Sequence, residues 1–359
     1  MKITFLSSQY ARISGGNRAL FEYANRLKQK GHLVRWFVLA KPARWYRIDH
    51  WPRILNKKVS ILAPDVIDWM DNKIPIELLS VNDKSLIPNA DILLATAWQT
   101  ADFSASFSDE KGKKFYFVQH HESLWTREKG KAEQTYHMPF KKMVISTWLK
   151  NILYEKYGKE AEVLVTPVND TIFFKTEKDD KAGRRVCTLH HDYDWKGYND
   201  AIEAVKKVRA ENCQIELVVF GEKLEDPTPL YDEAGFKFEY HYRPTGEALR
   251  KIYSSCGTFL CSSWYEGLGM PAMEAMMCGT ALVTTDTGGS WDYALDEETA
   301  LVSPAKNPEA LAKNLIRILK DDSLRLKLAE MGYHKIRKFS WDKNCEHLEK
   351  CFEKSINNF

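Results

Sequence analysis

Residues 258–279 of this 359-residue chain allow few local folds. The run Thr258-Phe259-Leu260-Cys261-Ser262 is short and apolar, suited to a buried strand. Pro271 stands where a following helix begins, because its fixed φ and missing N–H cost nothing in a first helical turn. Gly279 marks where that helix ends. Between strand and helix lie Gly267 and Gly269, which let a backbone come close to a ligand. The helix start beyond them offers unpaired N–H groups and the positive end of a dipole, a place suited to an anion and above all to a phosphate.

Glu266 and Glu274 flank this anion site, and a carboxylate beside an anion needs neutral hydrogen-bond donors. Sugar hydroxyls supply them. Glu266, in the loop before the helix, can accept from one sugar, and Glu274, about one turn into the helix, from a ribose on the other side of a diphosphate. The bland alternative is a pair of solvated charges at an ordinary strand-to-helix turn. The glycines, the proline and the strand context together favour a clamp for a nucleotide sugar.

The stretch closely resembles the donor-binding segment of retaining GT-B glycosyltransferases of the family-four type, whose signature reads E-G-F-G-(L/M)-P-x-x-E-A-M-A-C-G-x-P-V. The resemblance implies that Glu266 contacts the transferred sugar and Glu274 the ribose. It also implies that backbone N–H groups over Gly267, Leu268, Gly269 and Met270 hold the sugar or the diphosphate.

The chain is long for one core and comfortable for two domains. The first half alternates apolar runs (ITFL, HLVRWFVL, ADILLAT, KFYFVQ) with helical periodicity, Leu20, Tyr23, Ala24 and Leu27 sharing one face. The second half repeats the pattern with RVCTLHH, a helix over 198–210, IELVVFG, FKFEYHY, a helix near 245–254, TFLCS, the motif helix and ALVTT. Such alternation predicts βαβ units and two doubly wound α/β lobes. VLVTPVNDTIFF, with Pro167 and a polar turn, reads as the linker. The expected organisation is an N-terminal Rossmann-like acceptor domain over 1–165 and a Rossmann-like donor domain over 166–338. A terminal helix over 339–359 carries Trp341, Leu348 and Phe352 at helical spacing. The resemblance adds that the lobes face a central cleft and that the last helix crosses back to the first lobe.

Ligands of open α/β sheets sit beyond the carboxyl ends of strands, so the residues just after each strand are the candidates. Ser14, Gly15, Gly16 and Asn17 open a helix after strand one and resemble the family's N-terminal glycine loop, which approaches donor phosphates and acceptor. His120, His121 and Glu122 follow KFYFVQ, and a histidine there can donate to a sugar hydroxyl or a developing charge. His120 is favoured for that role, with its neighbour turned into the structure. Lys196-Gly197 resembles the family's R-x4/5-K-G phosphate clamp, but the arginine position is filled by His190 or His191, a titratable group in place of a permanent charge. Gly221 and Glu222 fit the nucleotide side, and Tyr242 and Arg243 are candidates for stacking on or bonding the base. Gly288 and Gly289 resemble a G-G-x-x-E loop, with Asp292 where Glu is usual. Asp192-Tyr193-Asp194 has the form of a metal-binding D-x-D motif; that reading is rejected because the GT-B architecture uses helix dipoles and cations in place of a bridging ion.

Mean hydropathy of -0.44 and no run approaching a membrane span indicate a globular chain. The N-terminus MKITFLSSQYARISGG reads as a first strand rather than a signal peptide. Seven cysteines without a C-x-x-C pair indicate free thiols in a reduced compartment. The net charge of +3 hides an asymmetry: residues 1–60 hold 13 Lys/Arg against Glu22 and Asp49 only, a net of +11, leaving -8 for the rest. With Trp45, Tyr46 and Trp51 interleaved, this basic face suits an anionic membrane surface, a phosphorylated lipid carrier or an acidic glycan. No motif accompanies it that would indicate nucleic acid.

These readings converge on a retaining, metal-independent glycosyltransferase, with no cofactor, using a nucleotide-sugar donor and a glycan or lipid-linked acceptor. Its expected place is the cytoplasm, with the inner face of a membrane as one placement. His120, Lys196 and Glu266 are the catalytic candidates. The alternatives are a sugar-nucleotide epimerase, a glycan phosphorylase or a non-catalytic nucleotide-sugar-binding module.

Overall fold

A computed structural model describes residues 1–40, 58–222 and 224–357. Most of the basic run PARWYRIDHWPRILNKK, with Trp45, Tyr46 and Trp51, lies outside the described residues. The chain divides into two units, Met1–Val165 with Trp341–Phe359, and Thr166–Ser340. Among the described residues no helix is long and apolar enough to cross a membrane.

The first unit is built on an eight-stranded sheet of β1 (Lys2–Ser7), β2 (Leu33–Val38), β3 (Val59–Leu62), β4 (Ile76–Leu79), β5 (Ile92–Ala95), β6 (Lys113–Val118), β7 (Lys141–Val144) and β8 (Ala161–Val163), in the order β3-β4-β2-β1-β5-β6-β7-β8. The pairings from β4 through β8 are parallel. Central strands buried on both faces read as continuous apolar runs, as in Phe115–Val118 of β6. The edge strand β3 departs from the expected parallel pattern and runs antiparallel to β4, pairing Val59 with Leu79.

The helix Trp341–Asn357 belongs to this first unit. Trp341, Cys345, Leu348 and Phe352 fall on its buried face. Trp341 meets Tyr23 edge-on at 5.1 Å and Phe352 meets Phe115 at 4.8 Å. Asn344 donates to the Val165 carbonyl at 2.7 Å, and Glu349 accepts from Lys30 at 2.5 Å. Each large apolar side chain so buried contributes about 1.5–3 kcal/mol.

The second unit carries a fully parallel six-stranded sheet of β9 (Arg185–His190), β10 (Glu216–Gly221), β11 (Glu239–Tyr242), β12 (Thr258–Cys261), β13 (Ala281–Thr285) and β14 (Leu301–Ser303), ordered β11-β10-β9-β12-β13-β14. The segment Val163–Phe174, expected as a linker, is not free chain. Val163 ends β8, and Phe173 is buried in the second unit, 6.1 Å from the Tyr253 ring. All seven cysteines are free thiols.

Candidate active site

In the second unit two loops emerge from the adjacent strands β9 and β12 and are laced together. After β9, a turn over Asp194–Lys196 leads through Gly197 (φ 66°) into the helix Tyr198–Ala210. After β12, Ser262–Gly269 leads into the motif helix Met270–Met277, with Gly269 at φ 91° as its N-cap and Pro271 in its first turn. Trp264 N–H donates to the Trp195 carbonyl at 2.7 Å, and Ser262 Oγ donates to the Gly197 carbonyl at 2.6 Å. Any Cβ at Gly197 would run into the Ser262 carbonyl, so the close approach demands glycine. Tyr193, Trp195 and Tyr265 stack in series, with centroids 5.6 and 5.2 Å apart.

This lacing sets Lys196 against Glu266. Lys196 Nζ lies 2.7 Å from Glu266 Oε1 and 4.5 Å from the Trp195 ring centroid. Ser263 Oγ donates to the same carboxylate oxygen at 2.7 Å. Glu266 is only 8% exposed, and its backbone is fixed from a third loop, with its N–H donating to the Thr287 carbonyl at 3.0 Å. Gly288 bridges to Glu266, and a Cβ at Gly289 would stand 2.5 Å from the Glu266 carbonyl. Lys196, Ser263, Glu266, Gly269 and Pro271 line a cavity of about 20 Å³ at the start of the motif helix, room for roughly one water. A cation, a carboxylate and a helix N-terminus thus converge on one spot, a place able to bind an anion and a hydroxyl together. A hollow of about 940 Å³ in the first unit, lined among others by Lys28, Asp65 and Asp71, holds none of the sequence candidates.

Glu274 sits inside the motif helix, 3% exposed, where Tyr253 Oη donates to Oε2 at 3.3 Å; it does not line the small cavity. Leu268 is buried and offers only its backbone, whereas Met270 is partly exposed. His190 closes β9 in register with Gly221, and a Cβ on Gly221 would be 3.0 Å from the His190 carbonyl. Burial pushes the His190 pKa below its usual value, so at neutral pH this ring is uncharged and is no substitute for an arginine there. His191 Nδ1 accepts from the Tyr193 N–H at 3.1 Å, which puts the ring proton of a neutral imidazole on Nε2, 3.9 Å from Glu222. Tyr242 ends β11 exposed, and the Arg243 N–H donates to the Gly221 carbonyl at 2.7 Å from a φ of 49°.

In the first unit Gly15 and Gly16 form the first turn of the helix Gly15–Gln29, with Ser14 as N-cap accepting from Asn17 at 3.2 Å. A Cβ at Gly16 would be 2.9 Å from Gln119 Oε1, so the loop after β6 lies against this helix start. His121 is the member of the histidine pair turned inward. It is 4% exposed, with Nε2 2.8 Å from Tyr157 Oη and 3.0 Å from Ser123 Oγ, and burial pushes its pKa down to about 4. His120 is half-buried, its ring edge-on to Trp125 at 6.4 Å.

Of the residues around these sites, Ser263 escapes the sequence reading and Glu122 is seen there only by its position. Ser263 looks like one more small residue at the end of an apolar strand, and only its contact with Glu266 distinguishes it. Glu122 was noted for its place after the histidines, but its burial was not legible. Among the described residues, three metal-ligating side chains come together at Glu162, His347 and Cys351 of the first unit, with ligand atoms within 4.8 Å; two of the three are exposed.

Residues 168–335 match the family model described as glycosyl transferases group 1. The chain is 32% identical over 133 residues to a D-inositol 3-phosphate glycosyltransferase of Salinispora tropica, covering 36% of this chain and 28% of that one. It is 22% identical over 355 residues to the O-antigen biosynthesis protein RfbC of Myxococcus xanthus, covering 97% and 26%. An uncharacterized glycosyltransferase of Methanocaldococcus jannaschii, MJ1178, is 25% identical over 210 residues, 58% of each chain. The chain therefore spans between about a quarter and three fifths of the length of these relatives. Among solved structures, Anabaena Alr3699/HepE in complex with UDP-glucose superposes with a TM-score of 0.76 at 14% identity, over 99% of this chain and 100% of that one. WaaG, a glycosyltransferase involved in lipopolysaccharide biosynthesis, gives 0.68 at 15% identity, over 99% and 100%.

The fold is that of a GT-B glycosyltransferase. Residues 168–335, just under half of the chain, are similar to the group 1 glycosyl transferases.

Proposed function

We propose that this protein is a retaining, metal-independent glycosyltransferase that moves a sugar from a nucleoside-diphosphate donor to a hydroxyl of a glycan or lipid-linked acceptor. The observation that carries the reading is the convergence of Lys196, Glu266 and the glycine-capped start of the motif helix. The bond between the anomeric carbon and the diphosphate oxygen breaks, and a bond from the acceptor oxygen to that carbon forms. The acceptor proton passes to the departing diphosphate. Negative charge grows on the leaving phosphate, where Lys196 and the N–H groups at Gly269 and Met270 favour the transition state over the ground state. Glu266 accepts from hydroxyls of the transferred sugar and Glu274 from the ribose. In the first unit we assign His120 to a sugar hydroxyl and the Gly15–Gly16 turn to phosphate or acceptor. Gly221, Tyr242 and Arg243, grouped at the ends of β10 and β11, are assigned to the base, with His191 beside them. The solved relative holding UDP-glucose supports a uridine donor as the first to try.

The test is to incubate the protein with UDP-, GDP- and dTDP-sugars and follow nucleoside diphosphate release, with and without glycan and lipid acceptors. Release from one donor that grows with acceptor, survives a chelator and gives a product of unchanged anomeric configuration is expected. No release from any donor, together with no thermal shift by nucleoside diphosphates, rejects the reading. A cytoplasmic place at an anionic membrane face, reached through the basic residues 1–60, belongs to the same proposal. Co-sedimentation with anionic liposomes should occur at low salt and vanish at high salt; equal recovery in the supernatant at both rejects it.

A further inference from the structure

A carboxylate lies buried beneath the turn that carries His120, and the transfer chemistry above does not use it. Glu122 follows β6 by a few residues and is 8% exposed overall. One of its oxygens, Oε2, receives two hydrogen bonds: from Tyr116 Oη at 2.7 Å and from the Trp98 N–H at 2.8 Å, at the start of the helix Trp98–Ser104. That oxygen therefore caps a helix whose N-terminal residue, Ala97, has no side chain able to do so. Tyr136 Oη then bridges the turn from the other side, accepting from the Glu122 N–H at 2.9 Å and reaching the His120 carbonyl at 3.4 Å. Tyr116 and Tyr136 stack at 6.0 Å, so the two hydroxyls come from one aromatic block. His121, between them, is tied to Tyr157 and Ser123. The backbone on both sides of the histidine pair is thereby fixed to β6, to the helix Trp98–Ser104 and to the helix Lys129–His137.

We propose that Glu122 is a positioning residue for His120: through Oε2 it locks the turn after β6 so that the His120 ring is held ready for the substrate. The inference rests on the assignment of His120 to a sugar hydroxyl. The Tyr116 hydroxyl and the Trp98 N–H both need an acceptor oxygen at the place of Oε2. Glutamine supplies it and alanine does not. Misplacing a reacting group by about 1 Å costs on the order of 100-fold in rate, and a partial loss of order correspondingly less.

The experiment compares wild type with Glu122→Ala, Glu122→Gln, His120→Ala and the double variant Glu122→Ala/His120→Ala in donor turnover. Glu122→Ala is expected to lower kcat about tenfold with KM for the donor within about twofold, and to add no further loss in the His120→Ala background. Glu122→Gln is expected within about twofold of wild type, since its amide oxygen can take both hydrogen bonds. Should Glu122→Ala fail to fold, Tyr136→Phe serves instead: it keeps the stacked ring, removes only the bridging hydroxyl and is expected to lower kcat a few-fold. A folded Glu122→Ala with kcat unchanged, a loss that multiplies with His120→Ala, or a Glu122→Gln as slow as Glu122→Ala overturns the proposal. A second readout separates it from the transferase reading itself. If wild type turns over no donor, that reading falls alone, and the His120 ring resonances in NMR decide the positioning. Resonances shifted in Glu122→Ala but restored in Glu122→Gln uphold it, and resonances unchanged in Glu122→Ala overturn it.

Discussion

Lys196 Nζ and Glu266 Oε1 stand 2.7 Å apart, each the other's charged partner, at the start of the motif helix. The chemistry proposed here needs both groups for substrate, so an arriving diphosphate takes over Lys196 and leaves Glu266 to the sugar hydroxyls. Removing either residue strands the other as a poorly solvated charge.

Glu266→Ala is therefore expected to lower turnover by about 1.5–3 kcal/mol of transition-state stabilisation, roughly 10- to 150-fold. Lys196→Met should mainly weaken nucleoside diphosphate binding. Because the two share one contact, the double variant should unfold at a temperature no lower than the sum of the single losses indicates. Calorimetry on the four proteins, alongside donor turnover, checks this. Turnover within twofold of wild type for Glu266→Ala contradicts its assigned role.

Gly197→Ala tests the lacing of the two loops. A left-handed φ of 66° and the Ser262 carbonyl beneath both oppose a side chain there. The cost should exceed about 2 kcal/mol, a fall of several degrees in Tm, with donor binding lost in parallel. Gly235→Ala is the control, since Gly235 shares a positive φ of 77° but has nothing within 4 Å of a Cβ; it should cost only about 1 kcal/mol.

The two histidines in place of an arginine separate by burial. His190→Arg must force a guanidinium into a buried position crowded by Gly221 and Tyr198, whose ring lies 4.7 Å from that of His190; loss of stability is expected. His191→Arg adds a permanent charge in a less crowded loop beside Glu222 and should tighten nucleoside diphosphate binding several-fold. Isothermal titration with nucleoside diphosphates reads both, and weaker binding by His191→Arg shows the clamp alignment to be wrong.

Stability should respond to pH through Glu122 and His121 with opposite signs. Burial pushes the Glu122 pKa from an ordinary 4.5 up to about 7, so its contribution is complete below about pH 4.5 and lost as pH rises through about 7. His121 is pushed from 6.5 down to about 4, so its contribution is complete above about pH 6.5 and lost as pH falls through about 4. The groups that face the pair are Tyr116 of β6, the Trp98 N–H, Tyr136 and Glu133 of the helix Lys129–His137, and Lys156 and Tyr157 of the helix Thr147–Tyr157. Glu122→Gln removes the first dependence only. The Tm difference, variant minus wild type, should climb by a few degrees from pH 4.5 to pH 8. A flat difference shows that Glu122 does not titrate in this window.

Much of the second unit was legible because β10, β12 and β13 are largely apolar and buried and the motif helix carries its own boundary residues. The expected helix over 198–210 is the helix Tyr198–Ala210, and TFLCS contains β12. The short strands β3, β4, β7 and β8 were not singled out, because each breaks its apolar run with a polar or charged residue, Ser60 in β3, Glu77 in β4, Lys141 and Lys142 in β7 and Glu162 in β8. Within the site, glycines and the proline were visible because they act through the backbone, which local sequence governs. The partners of Glu266 were not: Lys196 lies 70 positions away and meets it only because β9 and β12 are neighbours in the sheet. The inward turn of His121 was expected from the histidine pair, but the partner that holds it, Tyr157, lies 36 residues on and was not.

The helix Trp341–Asn357 has a consequence for biosynthesis. Tyr23 and Phe115 emerge from the ribosome long before the side chains that cover them, Trp341 and Phe352. A nascent chain that has reached Val165 therefore still presents a bare aromatic face, while Thr166–Ser340, contiguous in sequence, has all its own core in hand. The second half can mature ahead of the first, and the order of synthesis is not the order of completion.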